Sequence, residues 1–426
     1  MTRGFAPLMS AQFLSALADN AILVIAIALL GRIDAPGWMT PMLKFVFIGS
    51  YVLFAIGVGA FADTMPKGRV MLITNAVKGA GCLLMLGGVH PLAAYALIGL
   101  GAAAYSPAKY GLLTELLPPD RLVAANAWLE GLTIASVILG TVVGGAFVSP
   151  EFARALGLGA AGSAAALQGA VACAFVLYVA AAAVNLLIPD SGRRYGGHPR
   201  RAVDLFQAFG RALAVLLADH RGRVSLLTTS LLWGIGATLQ FVVIDWGREA
   251  LGLALDRAAM LPGIVAIGVA IGAVIAARTV PLDRALSILP LGVLFGPLLL
   301  AMLPFTSLPV VCGLLLMNGV AAGYFVVPMN AMLQHRGVEL TNAGQAIAVQ
   351  NFCENLSVMT MVAAYAALLG QDVSLAAVVV GLAVFVSLAM LGVQWHRRSS
   401  AQCGSGQPGA STGEDAAAGP RRRASP

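Results

Sequence analysis

The chain has 426 residues, of which 59% are hydrophobic and 11% charged, and its formal net charge is +7. Soluble domains carry about 25% charged residues, so a water-soluble fold of this length could not cover its surface with so few charges. Together with a mean hydropathy of +0.87, this composition predicts an all-α membrane protein that crosses the bilayer many times.

The cysteines show no paired spacing, and four of them fall in apolar runs, where a thiol behaves as a small hydrophobe. They are Cys82, Cys173, Cys312, Cys353 and Cys403. The sequence therefore predicts no disulfide, no metal site and no cofactor.

Apolar runs in chain order predict about twelve transmembrane helices. They cover residues 8–30, 45–62, 70–89, a fourth helix around 101–111, then 123–148, 164–188, 224–244, 260–277, 286–303, 308–332, 343–369 and 373–393. We expect a six-helix bundle over 1–189, a basic cytoplasmic linker over 190–223 with an amphipathic helix at 205–217, a second bundle over 224–396, and a disordered cytoplasmic tail over 397–426.

The basic residues indicate the orientation. Nineteen Lys and Arg lie on the side of both termini and the central linker, and five lie on the other side. Those five are Arg32, Lys44, Arg154, Arg248 and Arg257. The asymmetry predicts cytoplasmic termini, and it explains the net charge without any nucleic acid.

Charged side chains inside predicted helices are the first candidate site. Asp19 and Asn20 lie near the middle of the first helix, and Lys78 and Lys109 lie in the third and fourth. A charge at that depth costs about 2.5 to 3.5 kcal/mol on insertion scales, so each faces a cavity or a partner. The alternatives are a purely structural ion pair for Asp19 and, for Lys109, a side chain that snorkels to the interface.

A second group of polar residues follows and then recurs in the other half. Tyr105 and Lys109 share a helix face across Pro107, and Asn126 and Glu130 again stand four apart. The later group is Asn330, Gln350, Asn351 and Glu354. Glu354 lies 224 positions after Glu130, and each glutamate follows an amide by four residues. This repetition predicts two related halves around a midplane site.

A loop motif follows the second predicted helix. Asp63 precedes Lys67, Gly68 and Arg69, which resembles the loop between the second and third helices of the major facilitator superfamily, although the glycine comes five residues after the aspartate where the usual pattern has three. Arg278 and Asp283 occupy the equivalent place in the second half. The carboxylate can cap a helix N-terminus in one conformation, which makes the loop a breakable gate. The alternative is a turn that only sets topology.

Longer blocks carry a more specific resemblance. Residues 11–21 (AQFLSALADNA), 67–71 (KGRVM), 101–111 (GAAAYSPAKYG) and 345–355 (QAIAVQNFCEN) resemble the lysophospholipid transporters of Gram-negative bacteria, within the major facilitator superfamily. The resemblance covers about residues 11–397. It implies uptake of lysophosphatidylethanolamine and lysophosphatidylglycerol across the inner membrane, without a coupling ion, toward a cytoplasmic acyltransferase/acyl carrier protein synthetase that restores the diacyl lipid.

Such a substrate needs a cation for phosphate, a carboxylate for the amine, and amides for the glycerol hydroxyl. We expect Lys78 or Lys109 in the first role, and Asp19, Glu130 or Glu354 in the second. The amides are Asn20, Asn126, Asn330, Gln350 and Asn351, and Tyr105 belongs to the same predicted site. Gln240 stands where the resemblance predicts a basic residue. The acyl chain needs no buried pocket if it stays in lipid through a gap between helices.

Other functions stay open on the residues alone. A proton-coupled symporter or a drug exporter of the same fold would use the same membrane carboxylates as titrating groups. A membrane enzyme is disfavoured, because no Ser/His/Asp set clusters in the sequence and the five histidines lie near predicted membrane edges or in loops. A lipid sensor that does not transport is a further alternative.

Overall fold

The computed structural model describes residues 4–36, 38–157, 160, 162–193, 201–253, 255–258, 260–371 and 373–404. Within these ranges the protein is all-α, as predicted. The described part of the first half contains eight α-helices, two of which, α2 and α3, form one bent span. They are α1 (Phe5–Arg32), α2 (Met39–Leu53), α3 (Ala55–Asp63), α4 (Lys67–Leu86), α5 (Pro91–Leu116), α6 (Leu122–Phe147), α7 (Pro150–Ala155) and α8 (Ala164–Asn185).

A helix of the linker, α9 (Ala202–Ala218), leads to the second half. The helices that follow are α10 (His220–Glu249), α11 (Leu255–Ala258), α12 (Leu261–Thr279), α13 (Leu289–Gly292), α14 (Phe295–Leu300), α15 (Leu308–Leu340), α16 (Ala343–Leu369) and α17 (Leu375–Gly404). Of the described helices, nine are long and apolar enough to cross a membrane, and the bent pair α2–α3 makes a tenth. The 26-residue helix α5 and the broken stretch from α13 to α14 supply the remaining two of the twelve predicted segments.

The ninth predicted helix is wrong as a continuous helix. Residues 286–303 form the end of a 3-10 helix (Leu282–Ile288) and the two short helices α13 and α14. Pro290 and Pro297 lie inside this stretch, and each removes a backbone donor and clashes with the carbonyl four residues earlier. The second predicted helix is also interrupted, because α2 and α3 meet at a 63° bend.

Several helices extend past their predicted ends. The seventh was predicted over 224–244 and spans His220–Glu249, and the tenth was predicted to end at 332 and continues to Leu340. The last helix reaches Gly404, beyond the predicted start of the tail at 397, and the tail residues 405–426 lie outside the described residues. Polar residues within these extensions misled the prediction, because hydropathy locates the membrane core and not the end of the helix.

The amphipathic linker helix is confirmed, with bounds at Ala202–Ala218. Ala212 and Leu216 are buried, whereas Val203 and Phe206 are exposed. Phe209 stacks edge-on against Phe352 of α16 with ring centroids 5.5 Å apart, and it also packs against residues of α3 and α5. The helix α9 therefore contacts both halves of the protein.

Glycines allow the closest helix packing in the second half. Gly268 and Gly272 of α12 face Gly319 and Gly323 of α15, and a Cβ atom on any of the four would overlap the backbone of the facing helix. Small residues of this kind let helix backbones touch in a membrane, where no hydrophobic force drives association. We call this contact the glycine seam.

Candidate functional site

An ion pair of buried Lys78 with partly buried Asp19 joins α4 to α1 in the first half. Lys78 Nζ lies 2.7 Å from Asp19 Oδ2, and it also donates to Ser15 Oγ at 3.0 Å. Tyr178 donates its hydroxyl to the other carboxylate oxygen of Asp19 at 2.7 Å. The Lys78 side chain is 2% exposed and that of Asp19 is 17% exposed. These two residues, predicted as separate ligands, are therefore partners in the present conformation.

Tyr105 completes this cluster. Lys78 Nζ lies 4.9 Å from the centre of the Tyr105 ring, which is a cation–π distance. The Tyr105 hydroxyl is buried and has no hydrogen-bond partner among the described residues. A buried hydroxyl of this kind retains its full capacity to bond a ligand.

Lys109 is packed inside the protein and does not snorkel. Its residue exposure is 8%, and its ammonium lies 4.3 Å from the centre of the Tyr110 ring. Glu130 is near enough to interact with it electrostatically. The snorkelling alternative is therefore wrong for Lys109 in this conformation.

Two pairs of amides meet on consecutive turns of α15. Asn126 and Gln334 exchange two reciprocal hydrogen bonds, each 2.9 Å long. One turn earlier on α15, Asn330 accepts from Gln350 at 3.0 Å, and the same Gln350 amide donates to Glu354 at 2.8 Å. Asn126 and Gln350, which lie four residues before Glu130 and Glu354, thus both bind side chains of α15.

A further polar contact joins the halves nearby. Asn351 of α16 donates to Ser106 Oγ of α5 at 2.9 Å. We call the two contacts that cross between the halves, Asn126–Gln334 and Ser106–Asn351, the polar seam. Asn126 and Asn351, which were predicted to bind substrate, are here engaged in holding the halves together.

The predicted loop motif joins the halves at one end of the bundle. Asp63 accepts a hydrogen bond from the backbone N–H of Gly344, in the first turn of α16, at 3.0 Å. The predicted capping of a helix N-terminus by this carboxylate is confirmed. Lys67 pairs with Asp63 and lies 4.0 Å from Glu115. We call the contact of Asp63, Lys67 and Gly344 the clasp.

Other predicted residues are not assembled with these groups. Arg69 is exposed, as are Arg278 and Asp283 in the equivalent loop of the second half, so that loop forms no second clasp in the described structure. Asn20 bonds the carbonyl of Ala16 in its own helix at 2.8 Å. Gln240 lies on the exposed face of α10.

An apolar cavity of about 150 Å³ lies within the second half. Its walls come from α10, α12, α14 and α15, and Glu130 of the first half reaches its lining. Glu130 and Glu354 are 7% and 8% exposed, and neither forms an ion pair within the described part of the chain. No cluster of His, Cys, Asp or Glu among the described residues has the geometry of a metal site.

Sequence reasoning missed several partners in these networks. Gln334 was overlooked because the tenth helix was predicted to end two residues before it, although it follows Asn330 by four and so shares its face. Ser15 lies four residues before Asp19, so the same spacing places both on one helix face. Tyr178 gave none, because the four residues on either side of it in its helix are all apolar.

Two six-helix halves joined around buried charges define a class of membrane protein. A family model of the Major Facilitator Superfamily matches residues 8–362, which makes the chain a multi-pass membrane transporter and not an enzyme. A solved structure of a bacterial homologue of the iron transporter ferroportin, in its outward-facing state, aligns with a TM-score of 0.69 and 16% identity over 92% of this chain and 99% of that chain. At this identity the likeness shows the fold alone.

Closer relatives identify the family. The lysophospholipid transporter LplT of Enterobacter sp. (strain 638) is 40% identical over 401 residues, which cover 93% of this chain and 97% of the relative. The protein of the same name from Klebsiella pneumoniae subsp. pneumoniae is 40% identical over 402 residues, with the same coverage. The chain belongs to this family of transporters, which confirms the expectation drawn from its sequence blocks.

Proposed function

We propose that this protein moves lysophospholipids, chiefly lysophosphatidylethanolamine and lysophosphatidylglycerol, across the bacterial inner membrane toward the cytoplasmic leaflet. The observation that carries the proposal is the buried pair of Asp19 and Lys78, 2.7 Å apart, in a chain whose relatives are named lysophospholipid transporters. A zwitterionic head group presents phosphate to Lys78 and ammonium to Asp19, so that two charge-assisted contacts replace one.

Further groups near this pair have unused hydrogen-bonding capacity. The Tyr105 hydroxyl and Asn75 Nδ2, which lie beside the pair, are buried without a partner among the described residues, and so is Gln350 Oε1 in the second half. A glycerol hydroxyl and the phosphate oxygens need such donors and acceptors once they leave water. Lys109 supplies a second cation, and Glu130 or Glu354 a second carboxylate, within the predicted set.

The closed clasp and polar seam support an outward-facing state. Both sets of contacts join the halves at the end that the positive-inside rule assigns to the cytoplasm, together with both termini. In this scheme the halves rock about the bound head group, and inward opening breaks Asp63–Gly344 and Asn126–Gln334. Arg69, Arg278 and Asp283 are exposed at this end and are free to form the alternative contacts of the other state.

The cytoplasmic fate of the substrate follows from its chemistry. A lysophospholipid that reaches the inner leaflet must be reacylated before it can serve as a bilayer lipid, which requires an acyltransferase/acyl carrier protein synthetase as a functional partner. We also propose the division into bundles at 1–189 and 224–396, with a basic linker at 190–223.

Uptake by proteoliposomes tests the proposal. We expect labelled lysophosphatidylethanolamine to enter vesicles that contain the wild type and to fail with Lys78→Met. Lys44→Met is the matched control, because Lys44 is exposed and lies outside the cluster, so its loss should leave uptake unchanged. Absence of uptake with folded, inserted wild-type protein would overturn the proposed function.

Proton-coupled transport is the second candidate. It is favoured by one observation: Glu354 is a buried carboxylate that accepts a hydrogen bond from Gln350 and forms no ion pair among the described residues. A protonophore separates the two mechanisms. Uptake that survives collapse of the proton gradient supports facilitated diffusion, whereas uptake that stops, and that Glu354→Gln makes insensitive to pH, supports coupling through Glu354.

A further inference from the structure

Two polar groups around Lys78 are buried without a hydrogen-bond partner in the described part of the chain. They are the hydroxyl of Tyr105 on α5 and the amide nitrogen Nδ2 of Asn75 on α4. Groups of this kind are rare in native proteins, because a polar group that leaves water without a new partner raises the free energy of the folded state. Both groups are therefore available to a ligand that reaches this cluster.

Both groups are also tied to the ammonium of Lys78. Ser15 Oγ accepts a hydrogen bond from Lys78 Nζ at 3.0 Å and donates one to Asn75 Oδ1 at 2.7 Å. The Asn75 amide is thus fixed through its oxygen, while its nitrogen stays unpaired. The centre of the Tyr105 ring lies 4.9 Å from the same Nζ. A ligand whose phosphate binds Lys78 therefore brings its neighbouring atoms close to Tyr105 and Asn75.

A lysophospholipid carries a hydroxyl among those neighbouring atoms. In the 1-acyl form the free hydroxyl is on the middle carbon of glycerol, next to the carbon that carries the phosphate. In a diacyl phospholipid the same oxygen is esterified, so it has no hydrogen to donate and it bears a second chain. A free hydroxyl both donates and accepts hydrogen bonds, and it is the group by which a binding site distinguishes the two classes of lipid.

We propose that the Tyr105 hydroxyl and Asn75 Nδ2 bind the free glycerol hydroxyl of the transported lysophospholipid and so select single-chain lipids over diacyl lipids. The inference rests on the proposed function, in which Lys78 binds the phosphate. Asn75 Nδ2 donates to the glycerol hydroxyl, which in turn donates to the oxygen of Tyr105. A site that bonds a substrate hydroxyl rejects an analogue without it, because the buried groups of the site are then left unpaired.

The exposure of the ion pair gives the order of events. The side chain of Asp19 is 17% exposed and that of Lys78 is 2% exposed, so the head group reaches the cluster from the side of Asp19. When the head group separates the pair, the Lys78 ammonium leaves its position over the Tyr105 ring and uncovers the hydroxyl. The glycerol hydroxyl is therefore recognised only after the charges of the head group have been bound.

Tyr105→Phe removes the proposed contact and little else. It deletes a hydroxyl that has no partner and keeps the aromatic ring over which Lys78 lies. Because no hydrogen bond is lost in the lipid-free protein, we expect its melting temperature to be unchanged or raised. Tyr95→Phe is the matched control, because Tyr95 lies in the same helix, is equally buried at 3% exposure, and packs in a different apolar cluster of the first half.

The test compares three lipids in proteoliposomes: 1-palmitoyl lysophosphatidylethanolamine, its deoxy analogue with hydrogen in place of the glycerol hydroxyl, and its 2-acetyl ester. We expect the wild type to take up the hydroxyl lipid at least about tenfold faster than either analogue at equal low concentration. Tyr105→Phe should bring the ratio of hydroxyl to deoxy lipid to within about threefold, Asn75→Ala should lower the same ratio, and Tyr95→Phe should keep the wild-type ratio. Because each variant is compared on the same lipids, differences in their partition into the bilayer cancel.

Three results would overturn the inference. The first is a wild type that takes up the deoxy lipid or the acetyl ester as fast as the hydroxyl lipid. The second is a Tyr105→Phe variant that keeps the wild-type ratio. The third is a fall in the uptake of both lipids by the same factor in Tyr105→Phe, which a purely structural role would produce. If the wild type takes up none of the three lipids, the proposed function itself fails, which is a distinct result.

Discussion

The reciprocal amide pair of Asn126 and Gln334 gives the most direct test of how the halves are held together. Both residues are almost completely buried, at 0% and 1% exposure, and their two hydrogen bonds are 2.9 Å long. Asn126→Ala removes both bonds. While the halves are closed, the Gln334 amide is then buried without a partner. In the opened state the same amide regains water, so the substitution penalises one conformation selectively.

The magnitude follows from the number of bonds. Each hydrogen bond contributes about 0.5 to 1.5 kcal/mol net, and an orphaned buried polar group costs about 1 to 3 kcal/mol. A change of 1.4 kcal/mol alters a population ratio about tenfold. We therefore expect Asn126→Ala to shift the equilibrium between closed and opened halves at least about tenfold toward the opened state.

Pulsed electron paramagnetic resonance measures that equilibrium. Spin labels at Asp120 and Arg284, both exposed and in different halves, report the separation at the clasp end in a variant whose native cysteines are replaced. Asn126→Ala and Gln334→Ala should each populate longer distances. Asn126→Leu combined with Gln334→Leu orphans no amide and should shift the distribution less than either single alanine variant. Unchanged distances in the single variants would refute this account of the polar seam.

Three further outcomes follow from neighbouring contacts. Asp19→Asn should abolish uptake and lower the melting temperature, because the buried ammonium of Lys78 is left unpaired at a cost of about 3 to 5 kcal/mol. Adding Lys78→Met should restore the melting temperature but not uptake. Uptake by the double variant would contradict the assigned role. Gly344→Ala places a Cβ 2.6 Å from a carbonyl oxygen of α3 and should open the clasp, measured by the same spin-label distances, at a cost of about 1 to 3 kcal/mol. The guanidinium of Arg336, which donates to Asp219 at 3.1 and 2.5 Å, holds the pKa of that carboxyl below its usual value. This contribution to stability is present above the unfolded pKa of about 3.9 and is lost as the pH falls through the lower folded pKa. Asp219→Asn should therefore reduce the fall of the melting temperature in detergent at acidic pH. An unchanged fall would contradict the assignment.

The sequence was sufficient for the fold class and for the burial of most polar residues inside helices. Hydropathy located the membrane segments, and the charge at Asp19 marked the cluster because an isolated carboxylate is costly in lipid. The spacing of Asp63 before its basic residues predicted a carboxylate that caps a helix, and Gly344 N–H is the group it caps. These features depend on local chemistry that a single residue reveals.

The pairing of residues was not predictable in the same way. Asn126 finds Gln334 across 208 residues of sequence, and nothing in either helix specifies that partner. Asp19 and Lys78 were assigned to opposite ends of a substrate, although they bind each other in this conformation. A transporter alternates between states, so a polar residue can exchange one partner for another, and a sequence does not record which partner each residue has at a given moment.

The glycine seam between α12 and α15 links two properties that otherwise look separate. Because the backbones touch, no side chains lie between the helices to rearrange, and the pair moves as one rigid unit. That unit carries the amides Asn330 and Gln334. It also supplies Val265, Val269 and Gly323 to the wall of the apolar cavity. Any motion of this unit that breaks the polar seam therefore displaces the wall of the cavity as well.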